Sequence, residues 1–213
     1  MSKQKTSSVQ TYLTVFFVTC MVVSNVITAK QVQLPFGIVM TGGVLIFPFT
    51  YILSDVFSEC YGYRWSRITC YLAFAMNLLS VLIFTLAINT PAPSFWDGQE
   101  AFQMTLGSTP RILLASLAAY VLGDLMNDKV FRRMKQRHQN ETKGFCARAI
   151  ASSVVGEIVD SLIFFPIAFF GQMPIETLLQ VGALEIAIKV GYEVLILPLT
   201  TQIVKRVNAY ERG

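Results

Sequence analysis

The stretch FPFTYILSDVFSECYGYRWSR, residues 47–67, decides how this chain is read. With Val44, Leu45 and Ile46 just upstream, Phe47, Phe49, Ile52 and Leu53 leave no consistent polar face, which a surface helix of a soluble domain would need. Asp55 and Glu59 nevertheless lie inside the run, before it meets a basic, aromatic end. Four residues apart on an α-helix, they share one face about 6 Å apart along the axis. Such a segment reads as membrane-spanning. Ionisable groups at membrane depth are costly, face a bundle interior or a wet cavity, and mark a candidate functional site.

The composition agrees with that setting. Hydrophobic residues make up 54% of the chain and charged residues 14%, with a mean hydropathy of +0.54. A typical soluble domain carries roughly 25% charged residues. The 213 residues have room for about six spans of ~20 residues. The expected fold is therefore an all-α integral membrane protein, a bundle of six transmembrane helices in one domain. The spans are expected near residues 12–29, 38–61, 68–88, 111–128, 147–170 and 177–204. The first lacks a small-residue cleavage site after a short apolar core and reads as a retained helix. Phe95 and Trp96, in the 89–110 linker, fit an interfacial anchor.

Basic residues set the orientation. With a cytoplasmic N-terminus, the inner segments hold fourteen of the seventeen Lys and Arg, including Arg64, Arg67, Arg132, Arg133, Arg148, Lys205 and Arg206. The outer segments hold only Lys30 and Arg111, and Lys189 lies inside the sixth span. This asymmetry predicts both termini inside. The net charge of +4 then reflects topology, and the basic 129–148 segment reads as an anchor near anionic lipid; no nucleic-acid partner is implied.

Depth can be compared along each span at 1.5 Å per residue from the nearest inner basic residue. Asp55, Asp124, Glu157 and Glu193 all fall roughly 12–18 Å in, near the middle of a core about 30 Å thick. Asn25, Glu185 and Lys189 fall in the outer half. Eight acids inside spans (Asp55, Glu59, Asp124, Asp128, Glu157, Asp160, Glu185 and Glu193) face the one cation, Lys189. Glu185 and Glu193 stand four residues either side of it, so either can pair with it along the helix. The remaining carboxylates await protons, water or a donor-rich ligand. Asn77 and Ser80 fit interhelical hydrogen-bond glue, whereas the close acidic pairs Asp55/Glu59 and Glu157/Asp160 repel and make poor glue.

Other chemistries lack their residues. The only histidine, His138, falls in the basic loop, so no His-based zinc site or Ser-His dyad can form in the membrane. No GxxxxGK[ST] phosphate loop is present, and Cys20, Cys60, Cys70 and Cys146 show no CxxC spacing. No enzyme, metal or cofactor is expected.

Several segments together resemble a family: SNVITAK in the first span, residues 47–67 in the second, the SFWDG loop, TPRILLASLAAYVLGDLMNDKVF, VGEIVDSLIFFPIAF and IKVGYEVLILP. They are similar to the bacterial queuosine precursor transporters, also described as vitamin uptake transporters. The resemblance implies a six-helix, multi-pass carrier of the bacterial inner membrane. Its substrate would be a small 7-deazapurine (7-cyano-7-deazaguanine, its aminomethyl relative or queuine) destined for tRNA modification. It also implies Asn25, Asp55, Glu59, Asp160 and Lys189 as matching positions. Together with the acids at depth, the candidate substrate-binding set is Asn25, Asp55, Glu59, Asp124, Glu157, Asp160, Glu185, Lys189 and Glu193. A carboxylate can accept two adjacent N–H donors of a guanine-like edge, and an amide or lysine can serve its carbonyl. Two modes of action stand side by side: a self-sufficient secondary transporter, or a substrate-binding membrane subunit energised by a separate ATPase. A homo-oligomer is compatible with either.

Overall fold

The computed structural model describes residues 7–33, 35–137 and 145–212. His138 and the middle of the basic loop lie outside the described residues, as do the side chains of Tyr51, Asp128, Cys146 and Glu193. The chain divides into two compact units, residues 1–110 with 192–213, and residues 111–191.

In the first unit, α1 (Ser8–Ile27) starts at a capping box: Ser7 Oγ accepts from the Gln10 amide at 3.0 Å, and the Ser7 amide donates to Gln10 Oε1 at 3.3 Å. Two otherwise orphaned donors are thereby satisfied. A small antiparallel hairpin follows, β1 (Gln31–Gln33) and β2 (Val39–Thr41), with Gln31 opposite Thr41. A short 3-10 turn, Gly42–Leu45, then leads into α2 (Phe47–Val56). Gly42 donates its amide to Lys30 O at 2.8 Å, and a Cβ there would sit 2.3 Å from Ile27 O, so only glycine lets the hairpin close against the end of α1. A single π-helical turn, Phe57–Tyr61, continues α2, and Gly62, at φ 81°, redirects the chain into α3 (Tyr63–Asn89).

The expected second span is therefore not one regular helix. Its first part is hairpin and 3-10 turn, and α2, with 10 residues, is about 15 Å long, half of a hydrocarbon core. Non-helical backbone is tolerated at membrane depth where protein buries it. Met40, Thr41, Gly42, Gly43 and Val44 are indeed all buried.

The face of α3 that packs inward runs through Thr69, Ala73 and Asn77 at four-residue spacing. Phe17, Leu53, Phe57 and Ala73 form the core here, with Phe17 and Phe57 meeting edge to face at 5.8 Å. The opposite face exposes Tyr71, Leu78, Leu79, Leu82, Ile83 and Leu86, which suits contact with lipid. The linker beyond α3 contains a short helix, α4 (Gln99–Leu106), where Trp96 stacks edge-on against Phe102.

The second unit is built on α5 (Thr109–Arg137), α6 (Phe145–Phe169) and the first half of α7 (Ile175–Arg212), whose remainder belongs to the first unit. Arg111 ties α5 to the end of α6. Its Nε donates to Ile167 O at 2.5 Å and its Nη2 to Phe170 O at 2.7 Å, satisfying carbonyls that a helix terminus leaves open.

Among the described residues four helical segments are long and apolar enough to cross a membrane: Ser8–Ile27, Arg64–Asn89, Gln99–Asn127 and Ala151–Phe169. The protein is thus a predominantly helical, multi-pass membrane protein. Two expected spans fall outside those four for identifiable reasons. The second is broken, and the sixth lies in α7, where several side chains, that of Glu193 among them, are outside the described ones.

Candidate functional site

In the second unit the site starts from two glycines. A Cβ on Gly123 would lie 3.0 Å from Gly156 O and 3.2 Å from Asp160 Cβ; one on Gly156 would lie 3.1 Å from Asn127 Cβ. The backbones of α5 and α6 therefore touch, as small residues allow in membrane helix packing. Each glycine precedes an acid, so Asp124 and Glu157 stand at the same level along the two helices, as their depths in the sequence predict.

Glu157 and Asp160 are three residues apart on α6 and share a face. Lys189 reaches both from α7: its Nζ donates to Asp160 Oδ2 at 2.9 Å and lies 3.4 Å from Glu157 Oε2. Only 8% of the lysine side chain is exposed, against 21% for Glu157 and 28% for Asp160. Glu185, one turn earlier on α7, is 1% exposed. The sequence places the lysine's candidate partners on its own helix, four residues away. The structure adds a cross-helix pairing to α6.

Such a centre presents an ammonium and a pair of carboxylates side by side, in surroundings where ion pairs are weakly screened. It can donate to a carbonyl and accept from an amine-like edge at once. Among the described residues no three His, Cys, Asp or Glu side chains gather as a metal-holding group.

The first unit holds the other candidates. Asn25 on α1 donates from Nδ2 to Asn77 Oδ1 on α3 at 2.7 Å, and Asn77 donates in turn to Ala73 O at 3.0 Å. Both asparagines are at least nine-tenths buried, so this pair links α1 to α3 whatever else Asn25 does. Asp55 is exposed near the end of α2, and Glu59 is exposed in the π turn. The expected four-residue pairing on a regular α-helix is thus interrupted by the change of helical type between them. The π turn is held by α7: Tyr61 donates to Glu211 Oε1 at 2.8 Å, the same carboxylate accepts from the Ser7 hydroxyl, and Cys60 Sγ lies 3.8 Å from Val204 O. Glu193 lies on the α7 segment of this unit, with its side chain outside the described ones.

The sequence reading missed the Gly123–Gly156 contact and the Arg111 clamp. A signal for the first existed in the repeated glycine-acid dipeptides, Gly123-Asp124 and Gly156-Glu157. Nothing in the sequence pointed Arg111 at the end of another helix.

No solved structure matches this chain significantly. It is similar to a probable queuosine precursor transporter of Bacillus subtilis, 25% identical over 90% of this chain and 83% of that protein. The queuosine precursor transporter of Escherichia coli is 30% identical over 68% of this chain and 64% of its own length. A probable queuosine precursor transporter of Haemophilus influenzae is 26% identical over 68% of this chain and 58% of that protein. A family model described as "Putative vitamin uptake transporter" matches residues 41–203, from the end of the second strand of the hairpin through most of α7. That match covers the broken second span, the glycine crossing and the buried lysine with both its carboxylates, and by it the chain belongs to the vitamin uptake transporter family.

Proposed function

We propose that this protein is an inner-membrane uptake transporter for a queuosine precursor of the 7-deazaguanine type, with six spans in a single transport domain and both ends in the cytoplasm. The observation that carries the reading is the buried Lys189 centre. A planar base of this kind offers a ring N–H and an exocyclic amine on one edge, with a carbonyl beside them. Asp160 accepts from the donor edge and Lys189 donates to the carbonyl, while Glu157 helps hold the lysine in place. Asp124 and Glu185 in the second unit, and Asn25, Asp55, Glu59 and Glu193 in the first, are further candidate contacts for the base. The names of the relatives support the substrate class, and the family supports the transport role.

The test is uptake of radiolabelled 7-cyano-7-deazaguanine by the purified chain alone in proteoliposomes, with guanine and adenine as competitors. Saturable uptake blocked by excess unlabelled 7-deazaguanine but not by adenine is expected. Uptake that requires an added ATPase would assign the chain to the energised-subunit class. No binding of any deazapurine would remove the substrate assignment.

A further inference from the structure

Within the first unit, four of the five residues of the π turn are engaged with other elements, and the fifth is Glu59. Phe57 is 1% exposed and packs edge-on against Phe17 of α1, and Ser58 Oγ donates to Ser66 Oγ on α3 at 3.3 Å. Cys60 Sγ lies 3.8 Å from Val204 O, and the Tyr61 hydroxyl donates to Glu211 Oε1 at 2.8 Å. That same oxygen accepts from the hydroxyl of Ser7, the N-cap of α1. One carboxylate near the end of α7 thus joins the last residue of the π turn to the start of α1, by hydrogen bonds that its charge strengthens. Glu59 is left exposed.

The turn needs such ties. Residues 53–61 contain neither proline nor glycine, so nothing local demands a departure from the α-helix that α2 has begun. π turns are rare, occur mostly as single turns inside α-helices, and are frequent at functional sites. The consequence for Glu59 is geometric. In a continuous α-helix it would stand one turn beyond Asp55 on the same face. The i→i+5 bonding of a π turn takes in one more residue and shifts Glu59 around the axis. The contacts at the far end of the turn then select between the two placements. Among them the Tyr61–Glu211 bond is the strongest, since a thiol is a weak donor and the Ser58–Ser66 distance is long for two hydroxyls.

We infer that Glu211 is a positioning residue for Glu59: by holding Tyr61 it keeps residues 57–61 in the π form, and with them the Glu59 carboxylate in the place where it meets the ligand. The inference rests on the reading of Glu59 as a contact for the base. Without the carboxylate at 211 the turn relaxes toward α-helix, Glu59 swings toward the face of Asp55, and the ligand loses one charged acceptor. Tyr61 transmits the effect, so removing its hydroxyl has the same consequence as removing the carboxylate. Glu211 itself makes no contact with the ligand.

The test is binding of radiolabelled 7-cyano-7-deazaguanine by the full chain in nanodiscs, with Tm measured on the same samples. Losing one hydrogen bond to a charged group weakens binding about tenfold or more, which is the expected effect of Glu59→Ala on Kd. Glu211→Leu should weaken binding about three- to tenfold and Tyr61→Phe by a similar factor, while Glu211→Gln, which keeps an oxygen to accept from Tyr61, should recover most of the loss. The deciding comparison is a double-mutant cycle. In the Glu59→Ala background, Glu211→Leu should change Kd by less than about twofold, because the group it positions is already gone. A general loosening of the fold would instead weaken binding by the same factor with or without Glu59, and that result overturns the inference. So does an unchanged Kd in well-folded Glu211→Leu. If Glu211→Leu does not fold, Tyr61→Phe, which removes a single oxygen, carries the same cycle. Unchanged binding in Glu59→Ala sinks the inference and leaves the substrate reading standing, whereas no binding by the unaltered protein sinks both.

Discussion

Lys189 is the residue on which most of the chemistry turns, and its replacement has separable consequences. Lys189→Met takes the ammonium away from two half-buried acids, Asp160 and Glu157, and removing one member of a fully buried group of this kind costs about 3–5 kcal/mol, an upper bound here. The expected result is a markedly lower Tm in detergent. Adding Asp160→Asn removes one of the stranded charges and should recover much of the lost stability. Under the proposed function the double variant folds without transporting. A double variant with normal expression and normal uptake would show that the lysine serves only to balance charge. Asn77 makes a quieter prediction. Interhelical hydrogen bonds in membranes are worth on average about 0.6 kcal/mol, so Asn77→Leu should lower Tm only slightly through the loss of the Asn25 contact. A large loss of uptake at nearly unchanged Tm would then place the Asn25 amide in the transport path.

At the scale of elements, the second unit depends on how closely α5 approaches α6. Gly123→Ala puts a methyl 3.0 Å from a backbone oxygen, which a rigid helix can relieve only by moving away. Overpacking of this sort costs typically about 1–3 kcal/mol. Because the same Cβ would crowd Asp160, the change should also loosen the Lys189 contact, and uptake should fall further than Tm alone explains. Leucine at 123 should be worse than alanine in both respects. Equal uptake across Gly, Ala and Leu at this position would separate the helix crossing from the site. Arg111 acts at the other end of the unit. Each hydrogen bond from a charged donor is worth roughly 1.5–3 kcal/mol, so Arg111→Met should destabilise the α5–α6 pair. Lysine, lacking the planar fork that reaches two carbonyls, should rescue only part of that loss. Thermal unfolding of the three proteins measures the difference.

For the whole molecule the decisive prediction is topological. Under the proposed topology, which puts fourteen of the seventeen basic residues on the inner side, a cysteine at position 136, in a background without native thiols, should react with a membrane-impermeant reagent only after the inner face is exposed. Labelling from the outside would reverse the orientation. The sequence by itself determined the membrane setting and the expensive acids, because hydropathy and charge are sums over residues that no packing can alter. It also made the levels of Asp124 and Glu157 legible, since rise per residue is a property of any helix. The break in the second span was hidden, because its apolar run satisfies a helix and a buried hairpin equally well. Only tertiary contact between the end of α1 and Gly42 favours the hairpin. The partners of Lys189 were hidden for a related reason. Periodicity shows which residues are neighbours on one helix, namely Glu185 and Glu193, but the pairing with Asp160 and Glu157 depends on which face α6 turns toward α7. That choice is made by packing between helices, and it brought the ammonium to two carboxylates about thirty residues away in the chain.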